Sequence, residues 1–188
     1  MTQERCAWVT NDQIYIDYHD HEWGLPIYDE RLLFEFLILE GMQAGLSWLT
    51  ILKKRHNFRA CFDNFDAEII ANYDQNKIIE LMGNAGIIRN QLKIKAAIVN
   101  AQAFLKIRTK PGDFSDYIWD FVKGKPLQNH WDQHNQVPTS TLISDTMAAD
   151  LKKRGFKFTG STICYAFMQA TGLVNDHTMN CFCYKKSA

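Results

Sequence analysis

LILEGMQAGLSWLTIL, Leu37 to Leu52, carries the main fold signal of this chain. Its apolar residues recur with the spacing of buried helices, yet one carboxylate, Glu40, stands among them beside Gly41 and near Gln43. No basic residue lies between Glu35 and Lys53. A buried carboxylate without a partner is costly, so Glu40 is expected to have a partner or a task. Working outward, residues 29–40 predict a helix with Asp29 as N-cap and Gly41 as its stop. Residues 45–56 predict a second helix with Lys53, Lys54 and Arg55 in its last turn, where they suit the dipole. Further helices are predicted over 66–73, 74–82, 92–107, 113–122, 144–154 and 161–171, with Asp66, Asp74, Ser144 and Ser161 as caps and Gly155 and Gly172 as stops. Residues 123–143 predict an extended loop. Alternating strand patterns are nearly absent, so the fold class is mainly α.

The 188 residues fit one domain, and 46% hydrophobic residues supply a real core. With 21 basic and 21 acidic side chains, no global basic field announces a nucleic-acid partner, although local clusters can still serve one. The start, MTQERCAWVTND, lacks the apolar stretch of a secretory signal, and no run reaches the roughly 18 apolar residues of a membrane span. The expectation is a soluble, cytoplasmic protein. Its five cysteines then read as thiols or metal ligands rather than a disulfide framework.

The two chain ends hold the metal-type residues: Cys6, His19 and His21 at one, and His177, Cys181 and Cys183 at the other. His177 and Cys181 are four apart, a spacing that puts both on one face of a helical turn. Cys and His together favour zinc, and two ligands from each end would close a structural, four-coordinate site. His19-Asp20-His21-Glu22 could instead form a catalytic cluster, but it lacks an i, i+4 histidine pair flanking a glutamate.

GNAGIIRN, Gly83 to Asn90, reads as a hairpin between two helices. Gly86 can adopt backbone angles barred to other residues, and the free amides at the next helix start suit a phosphate, with Arg89, Lys93 and Lys95 close by.

Taken together, CAWV, YIDYHDHEWG, LEGMQAGLSWLTILKKR, NAGIIRN, LKKRGFKFTGSTICYAFMQATGLVNDH and the final C-x-C resemble the bacterial type I 3-methyladenine DNA glycosylases, from Cys6 to Cys183. That family belongs to the helix-hairpin-helix glycosylases. The resemblance implies a single glycosylase domain over 1–188, with the helix-hairpin-helix at about 74–106 and the segments 1–28 and 172–188 packed around one structural Zn2+. It implies Cys6, His19, His177 and Cys181 as the ligands, leaving His21 and Cys183 as bystanders. It implies that Glu40 is the recognition or catalytic carboxylate. Trp8, Tyr15, Tyr18, Trp23 and Trp48 would form the base pocket. Gly45 and Leu46 would lie at the gap in the duplex, and Gly86 and Arg89 at the phosphates. Met42 stands where some relatives carry glutamine, which bears on the pocket edge, and RNQLKI lacks a glycine found in some of them. The family lacks a catalytic aspartate, and no residue here is assigned that role.

The implied partner is double-stranded DNA with alkylated bases, with no membrane and no obligate protein partner. The implied reaction is hydrolysis of the N-glycosidic bond of 3-methyladenine after base flipping, without strand cleavage. The alternatives are a zinc-stabilised lesion-binding module without catalysis, and a zinc hydrolase using His19, His21 and Glu22.

Overall fold

The computed structural model describes residues 4–184. It is mainly helical. The α-helices are α1 (Gln13–His21), α2 (Glu30–Gln43), α3 (Trp48–Cys61), α4 (Ala67–Ile70), α5 (Gln75–Gly83), α6 (Gln91–Ile107), α7 (Asp113–Asp120), α8 (Leu142–Lys153) and α9 (Ser161–Ala170). Two short strands, β1 (Leu127–Gln128) and β2 (Val174–Asn175), pair in parallel. No helix among the described residues is long and apolar enough to cross a membrane.

Short polar side chains start most of these helices by accepting backbone N–H groups that lack a helical partner. Asp29 accepts from Leu32 at 2.8 Å, Ser47 from Thr50 at 3.2 Å and Asp74 from Lys77 at 2.9 Å. α7 follows Gly112 and borrows its cap: the Glu30 carboxylate accepts from the Gly112 and Phe114 amides at 3.0 and 2.7 Å.

α2 is the central helix. Every residue from Leu33 to Met42 is buried, as expected of a helix packed on all sides, and it meets α3, α6, α7 and α9. At its C-terminal end the Lys93 ammonium donates to the Met42 and Ala44 carbonyls at 2.8 and 2.7 Å. That bond docks the start of α6 against the turn 44–47.

Several sequence expectations need correction. Gly41 does not stop α2; it lies inside the helix, where a Cβ would meet the Phe158 Cβ at 3.3 Å. α3 starts at Trp48 and runs to Cys61, so Lys53, Lys54 and Arg55 sit mid-helix and bind Asp12, the Ala85 carbonyl and two glutamates. Thr141, not Ser144, caps α8; Ser144 Oγ accepts from the Thr141 amide and meets Ser161 Oγ at 2.8 Å. Gly160 precedes α9 in place of Ser161. α1 is a helix that the sequence pattern does not announce. Residues 123–143 hold β1 and a 3-10 turn at His134–Gln136 rather than loop alone.

Candidate functional site

Two sites share the α1 region. The first joins the chain ends. Phe182 donates its amide to the Glu4 carbonyl at 3.0 Å, bringing the C-terminal segment against the start. There Cys6, His19, His177 and Cys181, all buried, bring their ligand atoms within 4.8 Å of one another. Cys6 Sγ lies 3.5 Å from His177 Nδ1, and Cys181 Sγ lies 3.5 Å from His177 Nδ1 and 3.4 Å from His19 Nε2. Zinc–sulfur bonds of about 2.3 Å and zinc–nitrogen bonds of about 2.0 Å at tetrahedral angles separate sulfur from nitrogen by roughly 3.5 Å. The donor set therefore fits a four-coordinate, N2S2 metal site.

The outer nitrogens fit as well. His19 Nδ1 meets Asp20 Oδ1 at 2.8 Å, and Asp20 is held by Arg5 at 2.7 Å; His177 Nε2 meets the Trp23 carbonyl at 3.1 Å. Each acceptor fixes the tautomer that points the other nitrogen inward. His177 and Cys181 do not share a helical turn; a bridge at Thr178 and turns carry them. His21 is exposed and outside the cluster, whereas Cys183 is buried and its amide donates to Cys181 Sγ at 3.4 Å.

Beside this cluster opens a cavity of about 300 Å³. Trp8, Tyr15, Tyr18, Trp23, Glu40 and Trp48 all line it. α1 supplies the tyrosines, α2 supplies Glu40 and α3 supplies Trp48. Trp8 lies edge-on to Trp23 with centroids 5.0 Å apart, and Tyr18 packs against Trp48 at 5.6 Å. Trp48 stacks on Phe36 at 6.3 Å, and Phe36 in turn carries the Arg55 guanidinium 5.0 Å from its centroid. Arg55 binds Glu22 at 2.5 Å and Glu35 at 2.8 Å, so the wall behind Trp48 is braced by ion pairs joining α3 to α2 and to the residue that follows α1.

Glu35 and Glu40 are neighbours on α2 with opposite fates. Glu35 has Arg55 and Arg59. Glu40 is buried, its Oε2 accepts no hydrogen bond among the described residues, and burial alone pushes its carboxyl up to about 8. The Trp48 indole N–H is also buried without an acceptor among the described residues. An unpaired acceptor and an unpaired donor in one aromatic cavity, each costing about 1–3 kcal/mol, are what a polar ring ligand would satisfy.

The sequence did not single out Gln43, His134, Val137, Ala166 or Gln169, which complete the lining. Met42, by contrast, is packed in the core and does not edge the cavity. Gly45, at φ +79°, and Leu46 form the exposed turn leading from α2 to Trp48. Gly86 lies in the turn between α5 and α6, but without positive φ. Its constraint is steric, since a Cβ would come within 3.0 Å of Asn57 and 2.9 Å of Asn84 Oδ1. Arg89 in that turn is exposed, whereas Lys93 is turned inward to α2 and is lost to any phosphate.

Comparison with known proteins agrees with this architecture. The family model described as methyladenine glycosylase matches residues 8–184. DNA-3-methyladenine glycosylase 1 of Escherichia coli K12 is 51% identical, the match covering 96% of this chain and 97% of that one. A crystal structure of a 3-methyladenine DNA glycosylase I superposes with TM-score 0.93 at 53% identity, covering 96% of this chain and 99% of the other. A Staphylococcus aureus 3-methyladenine DNA glycosylase I, whose structure addresses 3-methyladenine recognition, matches with TM-score 0.92 at 37% identity over 97% of both chains. With the matched model spanning nearly all described residues, this chain belongs to the methyladenine glycosylase family.

Proposed function

We propose that this chain is a cytoplasmic, monofunctional DNA-repair glycosylase that flips 3-methyladenine out of alkylated duplex DNA and hydrolyses its glycosidic bond. The observation that carries the proposal is the buried, unpartnered Glu40 carboxyl inside a cavity of aromatic rings. Methylation at N3 makes the nucleotide's adenine cationic. A cationic ring gains about 0.5–2 kcal/mol from aromatic faces, and Trp8, Tyr15, Tyr18, Trp23 and Trp48 supply them. The Glu40 carboxylate accepts from the exocyclic amine, a charge-assisted bond of the stronger kind. Burial keeps the carboxyl protonated beside a neutral purine, whereas a cationic base draws it into the ionised form, so the slot selects for positive charge as well as shape.

The chemistry asks little more. The base departs as a neutral molecule, so the leaving group needs no strong acid. Glu40 is the one acidic residue lining the cavity among the described residues, and its negative charge, once a cationic base has drawn it out, would stabilise the cationic sugar as the bond breaks. Once the base is neutral, the charge that held it is gone, which favours release.

The remaining roles follow from position. Leu46 and Gly45, on the exposed turn beside Trp48, would fill the gap left by the flipped base. The α5–turn–α6 unit, about residues 74–106, would act as the helix-hairpin-helix, with Gly86 and Arg89 toward the phosphates. Cys6, His19, His177 and Cys181 would hold one structural Zn2+; four protein ligands leave no position for a reacting water. The whole chain, 1–188, would act as a single domain on double-stranded DNA, with no membrane and no obligate protein partner.

The test is release of free 3-methyladenine from alkylated duplex by wild type and by Glu40→Gln. Release by wild type, lost in the variant, supports the proposal. Tight lesion binding with no release by wild type would favour a zinc-stabilised lesion-binding module without catalysis.

A further inference from the structure

We propose that the His134 imidazole is a positioning residue that contacts a phosphate of the extruded nucleotide at the cavity mouth. This rests on reading the cavity as the seat of a flipped nucleotide. Glu40 and His134 both line the cavity, Glu40 almost fully buried and His134 exposed to solvent. A nucleotide entering base-first therefore puts its ring at Glu40 and its sugar-phosphate at His134. Among the described residues the lining contains no lysine or arginine, so His134 is the one described lining side chain able to carry positive charge. A protonated imidazole would repel a cationic base but attract a phosphate.

The backbone under His134 is held firmly. Residues 127–131 run beside the C-terminal segment, with Leu127 donating to the Leu173 carbonyl at 2.9 Å and Met179 to the Trp131 carbonyl at 2.9 Å. The buried Asp176 carboxylate ties this strap to the cavity wall. It accepts from Asn129 Nδ2 and Trp131 Nε1 at 2.7 Å, and from Tyr165 Oη at 2.7 Å and Gln169 Nε2 at 2.8 Å. The 3-10 turn is then locked by the Gln136 side-chain oxygen, which accepts from the Asp132 and Gln133 amides at 2.8 and 3.0 Å. The His134 side chain itself bonds no protein group among the described residues. A fixed backbone presenting an unengaged polar side chain is the arrangement of a ligand-contacting group.

The test measures affinity against salt, near pH 6, for a duplex carrying a tetrahydrofuran abasic-site analogue. Affinity for free 3-methyladenine is measured alongside. His134→Ala should weaken duplex binding several-fold and lower the magnitude of the log–log salt slope by about 0.9. His134→Lys should restore the slope, and all three proteins should bind the free base equally. An unchanged slope in His134→Ala, or an equal loss of free-base binding, overturns the proposal. Base release by wild type is scored separately, so a glycosylase with an unaltered slope in His134→Ala keeps the function and loses this contact.

Discussion

Replacing Glu40 by Gln should stabilise the folded protein at alkaline pH while destroying base recognition. Burial raises the Glu40 carboxyl from the ordinary 4.5 to about 8. Between these values the folded chain keeps a proton that the unfolded chain has released. Native stability therefore falls as pH rises through that window and falls no further above it. The full difference is about 5 kcal/mol, an upper figure, because local opening or water entry reduces it. Glutamine, nearly the same shape, has no such dependence. Urea denaturation of both proteins from about pH 5 to about pH 9 isolates the effect, since all other titrating groups cancel in the difference. The stability of Glu40→Gln relative to wild type should climb across the window by several kcal/mol and then level. A flat difference would mean that Glu40 ionises normally, with a partner, and that its isolation is not the basis of selection.

Cys6→Ser or His177→Ala should release the metal and cost roughly 3 kcal/mol or more in stability, measured by thermal unfolding and metal content, with base selectivity unaltered. Unchanged melting and one retained zinc would remove these residues from the ligand set. Arg55→Met should cost about 2–4 kcal/mol, because it strands buried Glu35 with only the partly exposed Arg59, and should loosen Trp48 through Phe36. Denaturation together with quenching of tryptophan fluorescence by free 3-methyladenine reports both effects. Leu46→Ala should weaken turnover on duplex DNA several-fold yet leave free-base affinity intact; equal losses in both would place Leu46 in the base pocket.

Helices with strong caps were legible in the sequence: Asp29, Asp66 and Asp74 each sit before a helix and accept its first amides. α1 was not, because QIYIDYHDH mixes aromatic and polar residues without a clear apolar stripe and is short. Glu40 stood out because no cation lies near it in the chain, and the cavity keeps it unpaired. Glu35 shares that apolar setting, and its partners arrive from α3, a tertiary fact that spacing does not encode. The far wall of the cavity was invisible for the same reason. His134 and Val137 lie in a polar stretch without periodicity, and Asp176, tens of residues downstream, fixes their path. Gly86 was singled out correctly as constrained but for the wrong cause, contact with Asn57 replacing backbone angle.

The most direct measurement is a crystal structure of the chain soaked with liberated 3-methyladenine. The account predicts the ring among Trp8, Tyr18 and Trp48 with its exocyclic amine about 3 Å from the Glu40 carboxylate. A base bound elsewhere, with Glu40 still unpartnered, would contradict it.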